Sequence, residues 1–203
     1  MAVCSPDVSW SVTTAPVLEP FTVEEAKAQI RSVQNQEDGI VSSYIKAARA
    51  SAERYLGRGL LTQTITLNLS DFVPVLSLPM AAPLQSVTTV KYYDTDGTQQ
   101  TLSSTYYTVD TIGHPGRLAL ASGQSWPALD GDRKVGRIEI IYVVGYTSRD
   151  LIPEEIKQGM RVLIGNMDAD RDGMDPNSEQ AMRVAKMFWT DRVFHIPPQY
   201  EGL

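Results

Sequence analysis

The sequence predicts an α+β protein in which helices at both ends of the chain enclose a run of short strands. Apolar residues recur at helical spacing between residues 20 and 61, alternate at strand spacing from 62 to 146, and return to helical spacing after 151. We therefore expect two N-terminal and two C-terminal helices in one bundle, with a small antiparallel β domain inserted between them.

The segment before the first helix is predicted to be an extended arm. Pro6, Pro16 and Pro20 interrupt it, and Trp10 is its only large anchor, so we expect it to order on a partner rather than pack within the chain. The predicted domains are the N-terminal arm at 1–19, the bundle at 20–61 and 151–195, the β domain at 62–150, and a C-terminal tail at 196–203.

The first two helices have clear start signals. Thr22 with Glu25 three residues later forms a capping box, which predicts a helix to about Arg31. Asp38 is the predicted cap of a longer amphipathic helix, whose apolar stripe extends from Ile40 to Leu56. The glycines at 57 and 59 can adopt the positive φ angles that end a helix and turn the chain into a strand.

Alternating apolar residues separated by Pro, Gly and Asp predict the strands of the β domain, which are 62–69, 75–78, 86–93, 99–102, 106–110, 117–120 and 137–146. The clearest hairpin turns at Asp94–Thr95–Asp96–Gly97. Asp94 and Asp96 could be read as a metal-binding pair, but the glycine favours the turn. Trp126 is predicted to cover one end of the β core, although it could instead be a binding aromatic.

The third helix is predicted after Pro153, with Asp150 as a candidate cap. Its apolar face contains Ile156, Met160, Leu163, Ile164 and Met167. The fourth helix is predicted from Glu179 to about Val193, with an apolar face of Ala181, Met182, Ala185, Phe188 and Trp189.

Composition and charge argue against several classes of protein. The chain has 203 residues and a net charge of −6, which disfavours nonspecific binding to DNA phosphates. No apolar run approaches the roughly 20 residues of a membrane span, and the N-terminus lacks signal-peptide features, so we expect a soluble protein made in the cytosol. The densest basic group, Lys46, Arg49, Arg54 and Arg58, indicates a solvated or interface-facing side of the second helix.

One acidic loop fits a metal-binding pattern. Asp168, Asp170, Asp172 and Glu179 occupy positions one, three, five and twelve of an EF-hand calcium loop, with Gly173 at the turn. Position eight is Asp175 instead of an apolar residue, position nine is Pro176, and the chain has no second loop of this kind. A calcium-binding interaction module using residues 168–179 and a solvated acidic loop both remain open.

Motifs of catalysis are missing from the sequence. His114 and His195 lack further ligands at zinc spacing, Cys4 is the single cysteine, and there is no nucleophile elbow, phosphate loop or dinucleotide fingerprint. We therefore expect no enzyme and no cofactor, calcium apart.

The order of many short segments carries a family resemblance. These segments are PFTVEEAK at 20–27, IKAARASAERYLGR at 45–58, LTQT at 61–64, LP at 78–79, PLQSV at 83–87, VKYYD at 90–94, DG at 96–97, YTVD at 107–110, GRL at 116–118, WP at 126–127, VGY at 144–146 and IP at 152–153. In this order they resemble the head-tail connector, or adaptor, proteins of tailed bacteriophages and related gene-transfer particles. The resemblance extends from Pro20 to about Met167, and it departs from the family in the acidic stretch 166–171 and in the long terminal arms.

The resemblance implies a structural virion protein rather than an enzyme. Such a protein assembles as a twelvefold ring beneath the portal, contacts the portal and a tail or neck completion protein, and extends the channel through which DNA passes without sequence-specific binding. It would be assembled in the host cytoplasm and found in the virion neck, with no membrane partner.

Two sets of contact residues follow from this interpretation. In the tail, Phe194, Ile196, Pro197, Pro198 and Tyr200 are candidates for contact with the portal or a neighbour. On the second helix, Lys46, Arg49, Arg54 and Arg58 are candidates for subunit contacts, with Arg58 interpreted as either a structural or a subunit-contact arginine.

Overall fold

The computed structural model describes residues 8–30, 38–171, 178–190 and 192–193. Within them the chain is an α+β protein with four α-helices and two antiparallel sheets. The described residues fall into two compact units. Residues 8–15, 62–145 and 193 make up the β unit, and residues 16–61 with 146–192 make up the helical unit.

The helical unit contains α1 (Val23–Ile30), α2 (Asp38–Leu56), α3 (Glu154–Ala169) and α4 (Ser178–Phe188), with a short 3-10 helix at Arg149–Leu151. All four α-helices contribute to one apolar core, whose buried members are Phe21, Ala26, Val41, Ile45, Ala48, Ala52, Leu56, Leu60, Leu61, Ile152, Ile156, Met160, Leu163, Ile164, Ala185 and Trp189. Four alanines in this core, one on α1, two on α2 and one on α4, let neighbouring helices approach closely. None of the described helices is both long and apolar enough to span a bilayer.

The capping box predicted for α1 is confirmed. The Glu25 backbone N–H donates to Thr22 Oγ1 at 3.1 Å, and the Thr22 N–H donates to Glu25 Oε2 at 2.7 Å. At the end of α2, Gly57 has a φ of 68°, and its N–H donates to the Glu53 carbonyl at 2.9 Å. The second glycine, Gly59, does not have a positive φ, so a single glycine ends the helix.

The predicted cap of α3 is wrong. Asp150 lies in the 3-10 helix before α3, where its own N–H donates to Ser148 Oγ at 3.2 Å. Pro153 occupies the N-cap and makes no side-chain capping bond. The Pro153 φ of −52° suits a helix start without a capping side chain. Acidic Glu154 and Glu155 in the first turn complement the helix dipole.

The end predicted for α4 is also wrong, because the helix stops at Phe188 instead of continuing to about Val193. The Arg192 N–H donates to the Thr190 carbonyl at 2.9 Å, two residues back, so the four-residue helical pattern is broken there. A β-branched threonine at 190 has low helix propensity, which favours a stop at this point. The predicted apolar face is confirmed, with Ala185 and Trp189 fully buried.

The β unit contains eight strands among the described residues. They are β1 (Val8–Thr14), β2 (Gln63–Leu69), β3 (Val75–Ser77), β4 (Leu84–Tyr93), β5 (Gln99–Thr101), β6 (Tyr107–Asp110), β7 (Arg117–Leu120) and β8 (Ile138–Val144). One sheet has the order β1-β2-β8-β4-β5 and the other the order β3-β7-β6, and every pair is antiparallel. The seven strands predicted between 62 and 146 are all present; β7 has the predicted ends, and each of the others differs by one or two residues at one end or both.

The alternation of buried residues along the strands shows which face of the sheet packs into the β core. Along β2 and β8 every second residue is buried, and the register pairs Leu67 with Ile140 and Ile65 with Tyr142 on the same face. These residues pack with Leu76 and with other apolar side chains of the three-stranded sheet in one cluster. Tyr142 is fully buried; its hydroxyl donates to the Pro79 carbonyl at 2.8 Å, and burial raises the pKa of the phenol.

The β4–β5 hairpin forms as predicted. Asp94 Oδ1 accepts the N–H groups of Asp96 at 3.1 Å and Thr98 at 2.9 Å, and Gly97 has a φ of 72°. The hydrogen bond from the Gln100 side chain, together with the two backbone bonds, holds the pKa of Asp94 below its ordinary value. The carboxylate of Asp94 therefore closes a turn, which confirms the turn interpretation of Asp94 and Asp96.

The predicted N-terminal arm requires a correction. Val8–Thr14 does not remain outside the fold, because it pairs antiparallel with β2 from Val8 opposite Leu69 to Thr14 opposite Thr64. All seven of its residues are nevertheless exposed. The segment is an edge strand added to the sheet. The prolines at 6 and 16 lie outside the paired residues, so they do not interrupt the pairing.

Candidate functional site

The four basic residues predicted as subunit contacts have different surroundings. Lys46 and Arg54 on α2 have exposed side chains. Arg49 lies between two carboxylates, and Arg58, just after α2, is only 1% exposed. The burial of Arg58 favours its structural role over a contact made by an accessible side chain.

Arg49 is part of an ion-pair network within the helical unit. Its Nε lies 2.8 Å from Glu19 Oε2, and its Nη1 lies 2.9 Å from Glu53 Oε2. Burial opposes the guanidinium charge, but the hydrogen bonds and charges of the two glutamates outweigh it, so the pKa of Arg49 is raised. Arg49 therefore fastens residue 19 to α2 within the chain.

Glu53 joins this network to the chain after α2. The residue is only 7% exposed, and its Oε1 accepts the N–H of buried Leu60 at 2.9 Å. A carboxylate that accepts both a buried backbone N–H and an arginine holds the turn against the helix that precedes it. The sequence analysis assigned no role to Glu53, because its position seven residues before Leu60 gives no signal of this bond.

The acidic loop has described residues on both of its sides. Asp168 Oδ1 lies 2.7 Å from Arg171 Nη2, and Glu179 pairs with Arg183 at 3.7 Å on the exposed surface of α4. Asp170 follows the last residue of α3 and is its C-cap, while Asp172 lies outside the described residues. Within the described part of the chain, no three Asp, Glu, His or Cys side chains gather in an arrangement suited to a metal. Calcium binding stays a prediction.

The tail candidates Phe194, Ile196, Pro197, Pro198 and Tyr200 lie outside the described residues. Their contact with the portal or a neighbour therefore stays a prediction.

A cavity of about 390 Å³ opens in the β unit, where its eight lining residues are Tyr92, Thr101, Leu102, Ser103, Tyr106, Ser125, Trp126 and Pro127. The lining offers Ser, Thr and Tyr hydroxyls but no carboxylate, imidazole, amine or thiol, so no such group lines the cavity to activate a hydroxyl as a nucleophile. Trp126 stacks on Phe72 with ring centroids 4.4 Å apart, and both pack against the β core, as predicted for a covering tryptophan.

The edge strand β1 is the surface feature that the sequence analysis missed. Val8, Trp10 and Val12 alternate with Ser9 and Ser11, which is the period-two signal of a strand. The prolines at 6 and 16, on either side of it, favoured the prediction of an extended arm instead. Its apolar side chains are exposed, and they lie on the surface of the β unit.

Residues 21–112 match the family described as phage gp6-like head-tail connector protein. Over those residues the chain is similar to the phage gp6-like head-tail connector family, which confirms the resemblance. This is a family of structural connectors, not of enzymes.

Solved structures with a similar fold come from gene transfer agent (GTA) particles. A chain in the neck of an empty GTA particle, computed with C6 symmetry, has a TM-score of 0.72 at 20% identity, and the match covers 93% of this chain and 97% of that one. A chain in the native GTA virion matches with a TM-score of 0.71 at 21% identity, covering 92% and 96%. A chain in the native neck computed with C12 symmetry matches with a TM-score of 0.67 at 20% identity, covering 93% and 97%. No curated protein sequence matches.

Proposed function

We propose that this chain is a head-tail connector of the virion neck, where it forms a ring beneath the portal and links the capsid to the tail. The observation that carries this proposal is the fold match, which spans 93% of this chain and 97% of a chain in a GTA neck. Because the match covers nearly all of both chains, the likeness extends beyond the residues shared with the connector family. Assembly would take place in the host cytoplasm.

The helices would form the ring-building part of each subunit. In this proposal, residues 20–61 and 151–195 are one helical bundle, and the β domain at 62–150 is inserted between them in the chain. The common apolar core of α1 to α4 supports a bundle, since each helix buries its stripe against the others. Exposed Lys46 and Arg54 are then the better placed candidates for contact with a neighbouring subunit, and Arg49 and Arg58 would support the surface from within.

We infer a ring of twelve copies. The similar neck structures were computed with sixfold and twelvefold symmetry, and a ring closes when heterologous contacts repeat around an axis. A net charge of −6 suits a channel wall past which DNA moves without sticking, since like charges disfavour prolonged contact. The portal and a tail or neck completion protein are the partners on the two sides of the ring.

The tail at residues 196–203 is proposed to clasp the portal or the next neck protein. Its deletion is expected to leave the fold intact, because residues that the structure describes before it build both apolar cores, and to abolish joining to portal-bearing heads. Joining is measured by cosedimentation of the purified protein with heads, and folding by circular dichroism.

A shorter deletion of residues 201–203 is the matched control, because it keeps Ile196, Pro197, Pro198 and Tyr200. This control is expected to join heads like the full chain. If the longer deletion joins heads equally well, the tail has no role in docking.

A further inference from the structure

In the edge strand β1, the apolar side chains lie on the face of the sheet that packs into the β core. The register places Val8 opposite Leu69, Trp10 opposite Leu67 and Val12 opposite Ile65. Directly opposed residues in an antiparallel pair point to the same face of the sheet. The side chains of Val8, Trp10 and Val12 therefore lie on the same face of the sheet as the β2 side chains that pack into the β core.

This shared face is covered along β2 and only partly covered along β1. The β2 residues Ile65, Leu67 and Leu69 are at most 2% exposed, whereas Val8, Trp10 and Val12 are 37%, 45% and 43% exposed. An apolar ridge continuous with a core, but left open at its edge, is typical of a protein interaction surface. We call Val8, Trp10 and Val12 the β1 ridge.

The backbone edge of β1 is equally open. β1 is the terminal strand of the five-stranded sheet, so within the described residues no strand pairs with its outer edge. Soluble proteins protect such edges with Lys, Pro or inward-pointing charges, but the sequence VSWSVTT contains none of these. A seven-residue edge that is uncharged and carries an apolar ridge favours a partner that stays bound.

We propose that the β1 ridge is a subunit interface, covered by a second copy of this chain in the assembled ring. This inference rests on the proposed function. In a closed ring each copy needs two different contact patches, and each copy carries one β1 ridge that requires cover. A neighbouring copy meets this requirement, because each copy in the ring would cover the β1 ridge of one neighbour. The fold relatives sit in necks computed with sixfold and twelvefold symmetry, in which each copy meets the next in the same way.

The direct test is photocrosslinking from the ridge. The Trp10→p-benzoylphenylalanine variant is prepared as an equal mixture of ordinary and heavy-nitrogen protein, bound to portal-bearing heads and illuminated. We expect Trp10 to give crosslinks between two copies of this chain, recognised by mixed isotope masses. Ser11→p-benzoylphenylalanine, on the opposite face of the same strand, is the control and is expected to give several-fold fewer.

Other occupants give other products. Crosslinks to the portal or to another neck protein, crosslinks within one copy, or no excess over the Ser11 control would each overturn the proposal. Ring formation is read from the same samples by electron microscopy. A ring without intersubunit Trp10 crosslinks refutes the β1 interface alone, whereas absence of any ring on the portal refutes the proposed function.

A second measurement removes the ridge without changing the strand's length. The Trp10→Ser, Val12→Ser double variant is expected to fold but to lose at least tenfold in affinity between copies. The Ser9→Ala, Ser11→Ala variant changes the opposite face and is expected to assemble normally. Normal assembly by the double variant, with circular dichroism unchanged, would contradict the proposal.

Discussion

Replacing Gly159 with alanine is expected to destabilise the helical unit by about 3 kcal/mol, the upper end of the usual cost of overpacking a core. A Cβ at residue 159 would lie 2.8 Å from Trp189 Cε2 and 2.9 Å from the Ala185 carbonyl oxygen, and it would collide with Trp189 Nε1. The indole cannot retreat without giving up its 3.1 Å hydrogen bond to the Ile156 carbonyl. The contact with Ala185 joins α3 to α4, and the hydrogen bond of Trp189 joins α3 to the residue that follows α4.

The control for this change lies on the same helix. Gly165→Ala would place its Cβ in open space, with no atom within 4 Å. Alanine is the better helix former, so this variant is expected to gain about 0.5–1 kcal/mol. Urea unfolding followed by circular dichroism measures both variants. Equal midpoints for Gly159→Ala and Gly165→Ala would contradict the packing of Trp189 on α3.

Removing the Glu53 carboxylate is expected to cost about 3 kcal/mol of folding free energy. Glu53→Ala leaves the N–H of fully buried Leu60 without its acceptor, and it takes one of two carboxylates from Arg49. Glu53→Gln keeps an oxygen for the Leu60 N–H and gives up only the charge, so its cost is expected to be about 1 kcal/mol. Urea unfolding measures the difference.

Glu179→Ala on α4 is the matched control in calcium-free buffer. Glu179 and Arg183 have side-chain exposures of 84% and 80%, so their pair contributes little and the variant is expected to lie within about 0.5 kcal/mol of the parent. A loss no larger for Glu53→Ala than for Glu179→Ala would show that Glu53 does not fasten the turn after α2.

Much of the fold was predictable because local signals agreed with the final packing. The capping box of Thr22 and Glu25 and the Asp-Gly turn at residue 97 act over a few residues, and both formed as predicted. β1 was missed for the opposite reason. Its spacing carries the period-two signal of a strand, but its pairing partner β2 begins about fifty residues later, and that spacing does not show which strand it pairs with.

The candidate site was less predictable than the fold. Counting charges placed Arg58 in a basic patch, but its burial depends on how the chain turns after Gly57, which a count does not show. Similarly, Trp189 follows α4 and donates from its indole to the Ile156 carbonyl 33 residues earlier, a contact that local spacing does not show. Family resemblance was carried by the order of short segments, which identified the kind of protein without identifying its contact residues.

The central claim is that this chain forms a ring between the portal and the tail. Electron microscopy of portal-bearing heads mixed with the purified full-length protein tests it most directly, with heads alone as the reference. We expect added density at the portal that averages with twelvefold symmetry and accommodates the α+β fold in each repeat. Heads whose portals gain no density, or gain it without rotational symmetry, would contradict the account.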